Sequence, residues 1–291
     1  MKRWLVRTML SAALLAGALG VAAPAQAAPA TAGGNNDFSC RPTSAHPDPV
    51  VLLHGAFANN QLDLSHLQAD LATQGYCTFS LTYGAYPELP LIGGLGPIAH
   101  SSAQIAAFVE QVRAATGAAK VDVVGHSEGG FLSLYLAKMQ GIASEINRVV
   151  AIAPPSHGAD SASVFTLAEL LLPGGRSTLD KILSTVGLPV LADTLPGGSA
   201  MTALNSGPIA QPGIAYTVIT SRFDEIVTPP GPTSFVNEPG VTNEWVQDSC
   251  PLDLVGHVGE ASDRNVWHLV GNALDPAHAT PISVCAIGLP V

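Results

Sequence analysis

From about Asp37 to the C-terminus, short apolar runs of β type alternate with stretches whose apolar residues recur at helical spacing. Such alternation predicts a mostly parallel sheet covered by helices on both faces. Pro49–Leu53 is a continuous apolar run stopped by His54-Gly55, as a strand buried on both sides would be. Cys77–Tyr83, Val121–Val124, Val149–Ala153 and Tyr216–Thr220 read as further strands. Ala99–Ala115, with Ile105, Phe108, Val109 and Val112 on one stripe, reads as a helix, as do Ser127–Gln140 and Ala261–Leu274. No internal repeat is visible.

Two stretches depart from this rhythm. Ser156–Gly213 holds three short apolar segments (Val164–Leu172, Leu179–Val186, Met201–Leu204) joined by Pro and Gly turns. They are expected to be short helices inserted between two strands, either capping one sheet edge or forming a buried excursion. At the other departure, Lys2, Arg3 and Arg7 precede an apolar stretch from Met9 to Val21 and then Ala25-Gln26-Ala27. That order is an export signal, so residues 1–28 are expected to be removed. The apolar stretch is short for a membrane span, and no later segment is long enough for one. Residues 29–36 read as a loose leader, and 37–291 as a single domain with 156–213 as its insertion.

Composition narrows the function. Twelve cations stand against 22 anions, and removal of the signal leaves nine against 22, a net charge of −13. No basic footprint for nucleic acid exists, and none for anionic lipid. Cys40, Cys77, Cys250 and Cys285 lie in the exported part, where disulfides persist. Four cysteines allow three pairings; the sequence-local one is preferred because each pair then brackets one compact segment. Metal binding is the rival, but C-x-x-C and paired His at ligand spacing are absent, and no loop has calcium-ligand spacing.

The chemistry is carried by Gly125-His126-Ser127-Glu128-Gly129, a G-x-S-x-G motif between an apolar strand and an amphipathic helix. A serine hydroxyl is a weak nucleophile unless a sharp strand-to-helix turn presents it to a base. The Glu128 N–H, at the helix N-terminus, and the Ala56 N–H, in the loop after Pro49–Leu53, are the candidate oxyanion donors. An acid and a histidine should follow in that order. Asp224, just after Tyr216–Thr220, is preferred over Glu225, which is expected to face solvent. Among the downstream histidines, His257 is preferred because it is expected on a loop able to reach across the sheet edge. His268 falls within a helix and His278 in a terminal loop; His54 and His126 are read as structural.

Val51-Leu52-Leu53-His54-Gly55, Gly125-His126-Ser127-Glu128-Gly129-Gly130, Asp224-Glu225-Ile226-Val227-Thr228-Pro229 and the segment Cys250…His257…Asn272-Ala273-Leu274-Asp275-Pro276 together resemble secreted actinomycete lipases of class 2. The order of motifs and the cysteine placement are similar to Candida antarctica lipase B. The resemblance implies an α/β-hydrolase fold, Ser127 as nucleophile, Asp224 as acid, His257 as base, and Ala56 and Glu128 as oxyanion donors. It also implies disulfides Cys40–Cys77 and Cys250–Cys285. Two departures stand out. Ala56 replaces a hydroxyl-bearing residue, leaving only a backbone donor, and Glu128 replaces the commoner Gln, so its carboxylate must point away from the oxyanion.

The expectation is therefore a secreted, monomeric carboxylic-ester hydrolase acting on acylglycerols, at an oil–water interface, without cofactor, metal or nucleic-acid partner. Leu170, Leu171, Leu172, Leu188 and Leu191 of the insertion are expected to supply the acyl surface. A short-chain esterase or polyester hydrolase is the alternative within the same chemistry, and a catalytically silent scaffold the alternative outside it.

Overall fold

The computed structural model describes residues 34–159, 161–186 and 188–290. The export segment 1–28 lies outside the described residues, as does the leader up to residue 33. In chain order the elements are β1 (Val50–Leu53), α1 (Ser65–Thr73), β2 (Thr78–Ser80), α2 (Ile98–Thr116), β3 (Val121–His126), α3 (Glu128–Met139) and β4 (Ile146–Ile152). There follow α4 (Ser161–Leu171), α5 (Arg176–Thr185), α6 (Pro189–Thr194), α7 (Ser199–Asn205), β5 (Ala215–Thr220) and β6 (Val241–Trp245). The chain closes with α8 (Val246–Ser249), α9 (His257–Glu260) and α10 (Arg264–Leu274).

The strands form one sheet in the order β2-β1-β3-β4-β5-β6, and every neighbouring pair is parallel. Register pairs Val51 with Val123, Val124 with Val150, and Ala151 with Val218. Because side chains alternate along a strand, Val51, Leu53, Val123 and Val149 enter a core on one face, with α2 and α3 residues such as Ile105, Val109 and Phe131. Val50, Leu52, Val124, Val150 and Ile152 enter the opposite core with α1 and α10 residues Leu67, Leu71, Val266 and Val270. Strand order reverses between β1 and β3. In open α/β sheets that switch point opens a crevice beyond the carboxyl ends of the strands, and the loops after β1 and β3 lead into it.

Several elements differ from the sequence expectation. The edge strand β6 reads Val-Thr-Asn-Glu-Trp and is only partly buried, so it lacks the apolar run that marks the interior strands. Helix α1 buries Leu67, Gln68, Leu71 and Ala72, a face too mixed to stand out. Among the described residues the insertion holds four helices, not three; the additional one, α6, is six residues long and starts on Pro189. His257 does not lie in a loop: it opens α9, a single turn too short to show helical periodicity. Gly34–Asn36, at the end of the stretch read as a loose leader, are tied to the sheet edge. Asn36 N–H donates to the Thr78 carbonyl, Thr78 N–H to the Gly34 carbonyl, and Ser80 N–H to Asn36 Oδ1.

The two disulfides are Cys40–Cys77 and Cys250–Cys285. The first pins the segment before β1 to the start of β2; the second joins the end of α8 to the C-terminal segment. That segment also runs beside the histidine turn, where Gly256 N–H donates to the Leu289 carbonyl and Gly288 N–H to the buried Asp253 carboxylate.

Candidate active site

Ser127 sits in the turn between β3 and α3 with φ +55° and ψ −120°. A non-glycine residue held there costs on the order of 1–3 kcal/mol and persists only where its surroundings enforce it. Here they do. A Cβ at Gly125 would run into the Gly129 backbone, and one at Gly129 into the Leu53 carbonyl. The glycines of the motif therefore let the turn close against β1, and the Ser127 hydroxyl is lifted to the sheet's carboxyl edge.

Two other residues converge on it. Ser127 Oγ donates to His257 Nε2 at 2.8 Å, and His257 Nδ1 donates to Asp224 Oδ2 at 2.9 Å. The other Asp224 oxygen accepts the N–H groups of Ile226 and Val227, each at 2.8 Å, from the turn that follows β5. All three side chains are buried. Burial, the largest single influence, pushes the Asp224 carboxyl upward. His257 and the two amides outweigh it and hold the carboxyl below the ordinary carboxylate range. The imidazole is thereby fixed with Nδ1 protonated and Nε2 free to accept a proton. Glu225 is exposed, and its Oε2 accepts the His257 N–H at 3.1 Å.

A second buried pair braces this arrangement. His126 Nδ1 donates to Asp63 Oδ1 at 2.9 Å, and His126 Nε2 donates to the His257 carbonyl at 3.0 Å. The other Asp63 oxygen accepts the Gly55 N–H at 2.5 Å. Both ring nitrogens of His126 face acceptors. Burial, the largest influence, lowers its pKa, but Asp63 more than compensates and the ring stands above the ordinary histidine range. Asp63 itself is pushed up by burial and pulled lower still by His126 and the Gly55 amide. Asp63 thus joins the loop carrying Ala56 to the backbone of His257. It escaped sequence analysis because it belongs to no motif, and its partner lies 63 residues away.

The other histidines weighed from the sequence have separate roles. His54 stacks on Tyr83, donates from Nδ1 to the Gly55 carbonyl and accepts the Tyr83 N–H at Nε2, so it shapes the loop after β1. His268 Nε2 bonds the Thr280 carbonyl, and His278 pairs with Asp275 on the surface.

Two cavities meet at Ser127. One, of about 290 Å³, is bounded by Ala56, Phe57, Leu62, Leu167, Leu171 and Val258 around Ser127 and His257. The other, of about 40 Å³, lies between Ala56, Glu128, Leu167, Val190, Leu191 and Ile226. Of the five leucines expected to supply an acyl surface, Leu171 and Leu191 line these cavities. Leu172 and Leu188 are packed into the core instead, and Leu170 is exposed. Leu167, Phe57 and Val258 take their place, because the β1 loop and α9 contribute walls along with the insertion. Among the described residues, no group of three or more His, Cys, Asp or Glu side chains could hold a metal ion, and no helix is long and apolar enough to cross a membrane.

Residues 47–155 match the model of the class 2 lipases. This span contains the β1 loop and the Ser127 turn and ends before Asp224 and His257. A triacylglycerol lipase from Pseudarthrobacter phenanthrenivorans is 35% identical over 121 residues, covering 39% of this chain and 35% of that protein. One from Vibrio cholerae is 27% identical over 195 residues, covering 65% of this chain and 57% of that protein. The chain thus spans about a third of the length of the first of these relatives and 57% of the second. Among solved structures, lipase B of Aspergillus fumigatus superposes with a TM-score of 0.60 at 20% identity, over 83% of this chain and 56% of that one. A metagenome-derived lipolytic enzyme superposes with a TM-score of 0.54 at 17% identity, over 80% of this chain and 94% of that one. The chain therefore has the α/β-hydrolase fold, and its residues 47–155 are similar to the class 2 lipases.

Proposed function

We propose that the protein is a carboxylic-ester hydrolase acting on acylglycerols. The observation that carries the reading is that one buried imidazole, His257, bonds both Ser127 Oγ and Asp224 beside an apolar cavity. His257 Nε2 takes the Ser127 proton as Oγ attacks the ester carbonyl, and Asp224 stabilises the imidazolium that forms. The N–H groups of Ala56 and Glu128 receive the oxyanion; Glu128 opens α3, where the helix amides favour negative charge. His257 then protonates the departing alcohol, and a water activated by the same ring releases the acid from the acyl-enzyme. The 290 Å³ cavity accommodates the longer apolar portion of the substrate.

A second reading, a short-chain ester or polyester hydrolase, is favoured by the 40 Å³ cavity under Glu128, which leaves little room for a long acyl chain on that side. Two disulfides and the N-terminal signal pattern support an extracellular location. We take the enzyme as a monomer that meets its substrate at an oil–water interface.

Labelling with a fluorophosphonate, compared with Ser127→Ala, tests the chemistry: the native protein should be labelled and the variant not. Rates on tributyrin, triolein and a solid polyester then separate the two readings. Unlabelled native protein would end both.

A further inference from the structure

The hydrolytic scheme uses the Glu128 backbone and leaves its side chain unexplained. Both carboxyl oxygens are closed off from solvent, and neither has a hydrogen-bond partner. Ionised carboxylates are the groups least able to tolerate such surroundings. The side chain lies against the loop after β2. A Cβ added at Gly94 would overlap both Glu128 Oε2 and the Ala56 Cα, so these two atoms lie within about 5 Å of each other. The carboxyl is therefore lodged beside both backbone donors assigned to the oxyanion, its own N–H and that of Ala56.

We propose, building on the ester-hydrolase reading, that Glu128 is a charge gate on the oxyanion site. Neutral, it leaves the donors free to stabilise the tetrahedral intermediate; ionised, it opposes the same negative charge and shuts turnover down. The N-terminal amides of α3 amount to about half an elementary charge, so an ionised Glu128 would consume the field that the oxyanion needs. With Glu128 Oε2 within about 5 Å of the Ala56 Cα, an ionised carboxyl would oppose the oxyanion by an amount equivalent to on the order of a hundredfold in rate.

The surroundings make Glu128 the group that switches in mild alkali. Burial alone pushes its carboxyl up to about 8. Tyr83, on the loop packed against it, is raised well above the ordinary phenol range by burial, with Glu128 and Asp63 adding to it, and stays neutral. His54 is lowered by burial and is neutral there too. Asp63 and Asp224 both lie below the ordinary range, so their charge is constant through this interval. His126 is held above the ordinary histidine range by Asp63, and both its ring nitrogens are engaged, by Asp63 and the His257 carbonyl. On the insertion side, Asp193 is engaged by Ile98 N–H and Ser199 Oγ, and α6 otherwise offers Val190, Leu191 and Thr194.

The test is kcat/KM on p-nitrophenyl butyrate from about pH 6 to about pH 10, with the Ser127→Ala rate subtracted, for native protein and Glu128→Gln. Native activity should fall about tenfold per pH unit above about 8, towards a floor on the order of a hundredfold lower, and the Gln variant should lack that limb. A variant that keeps the limb, or a native profile without one, overturns the gate. Native protein that is not labelled at Ser127 overturns the hydrolase reading and the gate with it. Labelled native protein with the wrong profile overturns the gate alone. If Glu128→Gln does not fold, Glu260→Gln protein carrying carbon-13 at its glutamate carboxyls serves instead. One carboxyl titrating near pH 8 in step with loss of Ser127 labelling rate supports the gate; a labelling rate flat through that titration overturns it.

Discussion

Asp63 offers the sharpest test of how the site is held. In Asp63→Ala the Gly55 N–H and the His126 Nδ1–H both lose their acceptor, and both are buried. Hydrogen bonds to a charged partner contribute about 1.5–3 kcal/mol each, and breaking a buried ion pair costs about 3–5 kcal/mol, so a loss near 3–5 kcal/mol is expected. For a domain of this size that is a fall in Tm on the order of 10 °C. The effect on rate should exceed the effect on stability. Asp63 is the link between the Ala56 loop and the His257 carbonyl, and displacing reacting groups by about 1 Å can cost about a hundredfold. Asp63→Asn retains the shape. Its Oδ1 can accept from Gly55 while its NH2 donates to His126 Nδ1, leaving Nε2–H on the His257 carbonyl, so much of the loss should be recovered. Circular dichroism melts and kcat/KM on a p-nitrophenyl ester read both quantities. An alanine variant that melts within about 2 °C of native protein and keeps its kcat would refute the bracing role.

Asp224→Asn should lower kcat by on the order of ten-thousandfold, because the imidazole loses its orienting carboxylate; a loss below about tenfold would contradict the assignment. Asp224 stands below the ordinary carboxylate range, so its contribution to stability is present above its unfolded pKa and lost as pH falls through the lower folded one. Removing it should therefore flatten the acid side of a pH–Tm curve. Glu260 carries the opposite sign. Burial raises its carboxyl well above the ordinary range, so its contribution is full below the unfolded pKa and declines as pH rises. Glu260→Gln is accordingly expected to raise Tm at pH 8 relative to its effect at pH 4, as calorimetry would show. Reducing the two disulfides, which close loops with sequence separations of 37 and 35, should cost about 4 kcal/mol each in the chain-entropy model; an unmoved Tm would contradict this.

The interior strands were legible because burial on both faces demands apolar runs: β1 is continuous, β4 is apolar from Val149 on, and β3 departs at Asp122 within Val121–Val124. The serine turn was legible for a local steric reason, since only glycine at 125 and 129 lets it close. Asp224 and His257 could be ranked from chain order, but not their mutual reach. Edge strand β6 and helix α1 were hidden because partial burial permits mixed residues. Which leucines of the insertion line the cavities, and the added walls from Phe57 and Val258, depended on which loops meet over Ser127.

By itself the sequence determined what acts between near neighbours: periodicity, turn sterics, and the residue types able to attack an ester. The tertiary structure alone decided what depends on distance and solvent. It joined Asp63 to His126 and His126 to the backbone of His257, and it sealed the Glu128 carboxyl away from water beside the Ala56 loop. Desolvation and through-space charge scale with neighbours that only folding brings together, so neither can be read from a chain whose partners stand 63 or 131 positions apart.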